Sequence, residues 1–264
     1  MDFLAETALL THGLRSISNE ELRSAWTVSR PCLAWVERGT LRVGTMEEYL
    51  PFRSRGEEVG RIDCEHLEDA LKSGASGALT ASGTMAACHR LGVFLAVSCG
   101  IGGIGDIRGE ELCPDLPALV RYPVALLATA PKDMLDVPAT FGWLWQHGVH
   151  VAGSECTGYL FHSTCVALDE GLAGYGTAEA VRRAAERGLL LLRPIPEEER
   201  IADLSILHAA ISAGKQAEAL GSYYHPAANG EIDRRTGGGN SPAPLRGLLA
   251  QGHAAPRRHT REKR

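Results

Sequence analysis

The segment from Val93 to Asp106, VFLAVSCGIGGIGD, places the tightest constraint on the fold. Val93 to Val97 is apolar at every position, so neither face can be turned to water. A run that short and uniform predicts a strand buried on both sides. It then empties into Gly100, Gly102, Gly103 and Gly105. Glycines at the end of a buried strand let backbone N–H groups approach a ligand that a Cβ would hold off, and such turns often cradle phosphate. A second buried strand, PVALLATA from Pro123 to Ala130, ends at Pro131-Lys132-Asp133. If the two strands are neighbours, glycine turn and lysine face one rim of a sheet.

Strand and helix signals alternate along the rest of the chain. Phe3 to Gly13 reads as an apolar, strand-like segment interrupted by Glu6, a carboxylate that is costly there unless paired or used. Asn19 to Arg30 reads as a helix capped by Ser18 or Asn19, and Cys32 to Gly44 as a hairpin turning at Arg38-Gly39. A charged loop, Arg53 to Gly60, precedes an element beginning at Arg61-Ile62 and helical spacing from Cys64 to Ser73. Gly77 to Val93 predicts a short strand, a small-residue turn and a helix opening at Thr84. Further helices are expected at Asp133 to His147, Ala178 to Gly188 and Asp203 to Leu220, with strands at Val149 to Gly153 and Leu189 to Leu192. Beyond Gly221 the composition, rich in Gly, Pro and Asn, predicts little order. The alternation predicts a three-layer α/β/α fold with a central, mostly parallel or mixed sheet. One domain is expected over residues 1–250, followed by a basic, disordered tail at 251–264.

A net charge of −5 gives no reason to expect a nucleic acid polymer as partner. No apolar run approaches the roughly 20 residues of a membrane span, and no signal peptide is recognisable. The seven cysteines are odd in number and form no CxxC pair. They point to buried thiols in a cytoplasmic protein rather than to disulfides or a zinc site. Of 27 basic residues only four are lysine: Lys72, Lys132, Lys215 and Lys263. In so arginine-rich a chain, a lysine at a strand end invites a chemical reason, since a guanidinium does not lose its proton.

Three readings of the glycine turn stay open: a tight structural turn, a phosphate or substrate cradle, and, with unsuitable spacing, a dinucleotide site. Lys132 is an ordinary lysine after a strand or an amine nucleophile. Glu6 is a surface residue or a general acid whose setting raises its pKa. Glu110, Glu111 and Asp115 are a solvated loop or oxygen ligands for Mg²⁺ or Mn²⁺. His147 and His150 flank a turn where a metal role is disfavoured.

Five segments occur in an informative order: ETALLTHG (Glu6 to Gly13), ASGTMAA (Ala81 to Ala87), CGIGGIG (Cys99 to Gly105), PKDMLD (Pro131 to Asp136) and RPIPEE (Arg193 to Glu198). Over roughly Leu4 to Ala210 the chain resembles the pseudouridine-5′-phosphate glycosidase family, which includes C-glycoside-forming enzymes of natural-product pathways. The resemblance implies Lys132 as the nucleophile that forms an imine with C1 of ribose 5-phosphate, and Glu6 as the acid/base. It implies substrate contacts at Arg61, Ala81, Ser98, Cys113 and Asp115, with Ser98 on the phosphate. It further implies Mn²⁺ at Glu111 and a homotrimer.

There are departures from the family pattern. Arg61 stands for a lysine, Glu111 for an aspartate, Gly105 for a histidine and Arg193 for an asparagine. TGGGNSPAP (Thr236 to Pro244) loses the asparagines of the closing helix. The function expected is therefore making or cleaving a C-glycosidic bond between ribose 5-phosphate and a base. The alternatives are a C-glycosynthase with a non-uracil acceptor and an impaired sugar-phosphate-binding relative.

Overall fold

The computed structural model describes residues 2–153, 159–161, 166–168, 170–238 and 242–256. Its strands are β1 (Leu4–Ala5), β2 (Leu33–Glu37), β3 (Thr40–Gly44), β4 (Gly60–Ile62), β5 (Gly77–Leu79), β6 (Leu95–Val97), β7 (Gly100–Ile101), β8 (Ala125–Ala128), β9 (Ala130–Pro131), β10 (His150–Gly153) and β11 (Leu189–Leu192). Among the described residues nine strands form one sheet, ordered β10-β11-β8-β6-β1-β2-β5-β4, with β3 beside β2. Every pairing from β10 to β2 is parallel, whereas β3 and β5 run antiparallel to β2. β7 and β9 form a separate two-stranded parallel ribbon.

Successive strand residues enter opposite layers, as the two-residue period requires. Leu4, Ala96, Leu126 and Leu190 pack under helices Ala81–Leu91, Asp115–Arg121 and Val137–Gln146. Ala5, Leu95, Leu127 and Leu191 face the other layer, built from Asn19–Ala25, Met46–Arg53, Ala178–Ala185 and the C-terminal helices. This is the three-layer α/β/α fold with a mixed, mostly parallel sheet that the alternation predicts. Ser18 caps its helix in a reciprocal box with Glu21. The hairpin turns where predicted, with Arg38 and Gly39 both at positive φ, 50° and 72°.

Several local expectations are corrected. Phe3 to Gly13 is not one strand: β1 ends at Ala5 and Leu9–Gly13 winds as a π-helix. The Thr7 hydroxyl fastens this change of course, donating to the Ala34 carbonyl at 2.6 Å and accepting the Leu79 N–H at 2.9 Å. The helix after β5 opens at Thr80, not Thr84. Thr80 accepts the Gly83 N–H, and position 83 takes a glycine because any Cβ there would lie 2.2 Å from the Ile62 carbonyl oxygen. Asp133 to Asp136 precede the helix expected from Asp133, and Asp136 is its cap.

Among the described residues beyond Gly221, Tyr224–Arg235 and Pro242–Ala254 are helices. Tyr224–Arg235 packs along Leu204–Ala219, with the Tyr224 ring in the space left by Gly214, where a Cβ would lie 2.5 Å away. Pro242–Ala254 then lays Gly247 over Cys99 and Thr129, and Gly252 over Phe3. Gln251 donates to the Arg193 carbonyl at 2.7 Å and Ala255 is buried, so the body of the fold runs past residue 250. The arginine-rich end, 257–264, lies outside the described residues, as do Cys156 and Cys165. The five described cysteines are buried free thiols. No helix among the described residues is long and apolar enough to cross a membrane.

Candidate active site

Strands β1, β6 and β8 are parallel neighbours in register, Ala5 beside Val97 and Val97 beside Leu127. Each delivers its next residues to one rim: Glu6 from β1, Ser98 from β6 and, through β9, Lys132. The carboxyl ends of parallel strands are where open α/β sheets place ligands. The ribbon continues the pairing, Gly100 beside Ala130, and the Lys132 N–H donates to the Ile101 carbonyl at 3.2 Å. A cavity of about 50 Å³ opens there, with Glu6, Arg61, Gly100, Lys132, Tyr159 and His225 in its wall. It shares Arg61, His12, His225 and Pro226 with a larger cavity of about 740 Å³.

Glu6 is 8% exposed. Burial raises its pKa, and the opposing Ser98 hydrogen bond and Lys132 charge do not cancel that. Ser98 Oγ lies 2.5 Å from Glu6 Oε2 and 2.8 Å from the Gly100 carbonyl. A serine has one hydroxyl proton, so it cannot donate to both. With Glu6 protonated, Glu6 donates to Ser98 and Ser98 donates to Gly100, and every group is satisfied. The geometry thus suits a neutral carboxylic acid ready to donate. Ser98, fully buried, is placed against Glu6 and is not part of either cavity wall.

Ala81, Cys113 and Asp115 stand behind the glycine turn and support it. Asp115 Oδ1 accepts the Ser82 N–H and Oδ2 the Gly102 N–H, both at 2.8 Å. This ties the start of the Ala81 helix to the turn, and it uses the Gly102 N–H that a phosphate cradle would offer. The Cys113 N–H donates to the Gly103 carbonyl at 2.9 Å. Cys113 Sγ fills the place of a Gly102 side chain, 2.0 Å from where a Cβ would stand. These residues and Ala81 line neither cavity. Arg61, at the sheet edge, lines both.

Glu111 is exposed. No group of three His, Cys, Asp or Glu side chains converges among the described residues, and both Asp115 oxygens are taken by N–H donors. A metal beside Glu111 would therefore be held by few protein ligands and completed by solvent, and no step below passes through a metal. His147 stacks on Trp143, and His150 lies 3.1 Å from Glu170.

The neighbouring Glu110 faces the site instead. Its Oε2 is 2.7 Å from His225 Nε2. Burial acts to raise the Glu110 carboxyl, but the His225 hydrogen bond and the Lys132 and Arg61 charges outweigh it and hold the group at about 2. His225 is pushed down by burial and by Lys132. The sequence reading missed His225 because it expected little order after Gly221. The four-residue spacing of Tyr224, Ala228 and Ile232, all buried, was the available signal for its helix.

Residues 5–243 match the model of the indigoidine synthase A like protein family. The pseudouridine-5′-phosphate glycosidase of Methylobacterium nodulans is 32% identical over 233 residues, covering 82% of this chain and 69% of its own. That of Gemmatimonas aurantiaca is 29% identical over 271 residues, covering 95% and 87%. The solved prealnumycin C-glycosynthase AlnA, in complex with ribulose 5-phosphate, superposes with a TM-score of 0.73 at 25% identity, covering 96% and 89%. An indigoidine synthase A-like protein from Thermotoga maritima shares the fold, with a TM-score of 0.75 at 19% identity over 96% and 90%. With nearly its whole length matched by the family model, the chain belongs to the indigoidine synthase A like protein family.

Proposed function

We propose that this enzyme makes or breaks the C-glycosidic bond between ribose 5-phosphate and a carbon acceptor through an imine between Lys132 and C1 of the sugar. The carrying observation is that Lys132 and the buried Glu6 share one small cavity on the sheet rim. In the cleavage direction the Lys132 nitrogen bonds to C1 as the C1–O4 bond opens, and an amine proton passes to O4. The nitrogen lone pair then forms C=N while the C1–carbon bond breaks. Its electrons go to the acceptor carbon, which takes the Glu6 proton. Water hydrolyses the imine and frees ribose 5-phosphate. Synthesis runs the same steps backwards. Arg61 offers a guanidinium to an anionic or carbonyl group of the substrate.

The curated relatives support pseudouridine 5′-phosphate as the substrate. The adjoining cavity of about 740 Å³ favours the second reading, synthesis with an acceptor larger than a pyrimidine. Glu6 and Lys132 sharing one cavity speak against a binding-only relative. Manganese beside Glu111, a homotrimer and a cytoplasmic location belong to this proposal on the resemblance alone. Activity after dialysis against EDTA, with Mn²⁺ added back, tests the first, and light scattering of the purified protein tests the second.

The central test is to incubate the protein with ribose 5-phosphate and borohydride, digest it and locate the adduct by mass. Labelling at Lys132, abolished in Lys132→Ala, is expected; no adduct overturns the imine. Uracil release from pseudouridine 5′-phosphate then separates glycosidase from synthase.

A further inference from the structure

His12 lies on the wall of both cavities. The π-helix Leu9–Gly13 puts it there: β1 ends at Ala5, Glu6 follows at the rim, and the wide turn carries residue 12 back to the same wall. Such turns are rare and recur at functional sites. The smaller cavity, about 50 Å³, has room for only a few water molecules. A group on its wall therefore reaches an atom held inside it directly or through one water. His12 is half-buried, and its Nε2 faces the Gly60 carbonyl at 3.4 Å. That length makes a weak anchor, but it settles the tautomer. A carbonyl only accepts, so the ring proton is on Nε2 and Nδ1 is an acceptor. Nδ1 has no partner among the described residues and, unlike that of His225, is not closed off by protein. Burial, with the Arg61 and Arg15 charges, pushes the pKa of the ring down against the Gly60 bond, so the ring is uncharged at neutral pH.

Opening the sugar requires a proton to move between two atoms on one carbon. The Lys132 nitrogen bonds to C1 and becomes an ammonium, while O4 leaves C1 as an alkoxide. Direct transfer would close a four-membered ring, with N–H···O bent well below the ~120° at which hydrogen bonds fail. A side chain that both takes and gives the proton removes that obstacle. Among the described residues of the small cavity, Glu6 holds the proton meant for the acceptor carbon, and Arg61 and Asn229 do not exchange protons. The Tyr159 hydroxyl is buried and its pKa pushed well up, and His225 has Nε2 on Glu110 and Nδ1 enclosed. His12 remains.

We infer that His12 is the proton relay of ring opening: its Nδ1 takes a proton from the Lys132 nitrogen as that nitrogen bonds to C1, and delivers it to O4 as the C1–O4 bond breaks. One proton moves from nitrogen to oxygen, the imidazole ends as it began, and Glu6 keeps its own proton for the carbon. In synthesis the same nitrogen takes the proton from the O4 hydroxyl as the ring closes. This deepens the imine reading and rests on it.

The rate of Lys132 labelling is followed by mass under saturating cyanoborohydride with two sugars. One is ribose 5-phosphate, with protein in excess over the open aldehyde in its solution, so that label must come from closed rings. The other is its 4-deoxy analogue, which has no O4 and stays an open aldehyde. His12→Gln keeps an N–H for the Gly60 carbonyl but cannot relay a proton. The ratio of the two rates, ring sugar over open aldehyde, is expected to fall by about 10²-fold in this variant. A ring that only packs against Gly60 would leave the ratio unmoved, because both sugars meet the same wall. His12→Ala leaves the space of the ring empty. Added imidazole should restore part of its ring-sugar rate, and imidazoles of graded basicity should restore it in graded measure. An unchanged ratio in His12→Gln overturns the relay, as does a folded His12→Ala protein whose lost rate no imidazole restores. No label on the unaltered chain with either sugar is instead the failure of the imine reading, and the relay falls with it.

Discussion

At the scale of single residues, Glu6 carries the largest conflict between stability and use. Burial raises its carboxyl above the usual value of 4.5. An acid with a raised pKa contributes stability that is fully present below its unfolded value and is lost as pH climbs through the folded one. Glu6→Gln removes that loss. The variant is expected to be more stable at neutral pH by about 1 kcal/mol, or ~2–4 °C in Tm. The difference should vanish below the ordinary carboxylate range, as thermal melts across pH would show. Its turnover should fall by about 10²–10⁴-fold, the usual worth of a general acid. Ser98→Ala, which strips a partner from Glu6 and from the Gly100 carbonyl, should cost about 1–2 kcal/mol in urea denaturation.

At the scale of elements, the glycine turn works because other elements hold it. Asp115 satisfies two backbone N–H groups from two different segments. Asp115→Ala leaves both unpaired in a buried place, at about 1–3 kcal/mol each. A lowered urea midpoint with an unchanged m-value is expected, together with reduced labelling of Lys132 as the rim loosens. Gly102→Ala should be comparably damaging, because its Cβ would meet the Cys113 sulfur at 2.0 Å. Replacing Cys113 with Gly in the same chain should recover part of that cost, a coupling that a double-mutant cycle reads directly.

At the scale of the molecule, the C-terminal third closes the site. The loop after the glycine turn is stapled to the helical hairpin through three residue pairs. The Arg108 N–H donates to Glu218 at 2.7 Å, Lys215 pairs with Asp106 at 3.1 Å, and His225 meets Glu110. The last helix buries Leu245, Leu248 and Leu249 against the sheet layer. At about 1.5–3 kcal/mol for each buried side chain, deleting residues 242–264 forfeits about 5 kcal/mol or more. A domain's whole stability is about 5–15 kcal/mol. The truncated chain should therefore show no cooperative melt by circular dichroism, although its boundary falls close to where composition alone predicts little order.

What the sequence determined by itself is local and periodic. Uniform apolar runs made β6, β8 and β11 strands buried on both faces, and their alternation with helices set the three layers. The expense of a carboxylate beside β1 and the scarcity of lysine mark Glu6 and Lys132 as candidates. Tertiary structure decided everything that depends on which distant segments meet. It put Ser98 on Glu6, tied Asp115 to the backbone of the glycine turn, and set the helix cap at Thr80, one turn earlier than Thr84. It also brought an imidazole to the cavity from His225. A periodic pattern reports what one element buries, but a hydrogen bond between residues 110 and 225 leaves no mark on the local sequence at either end.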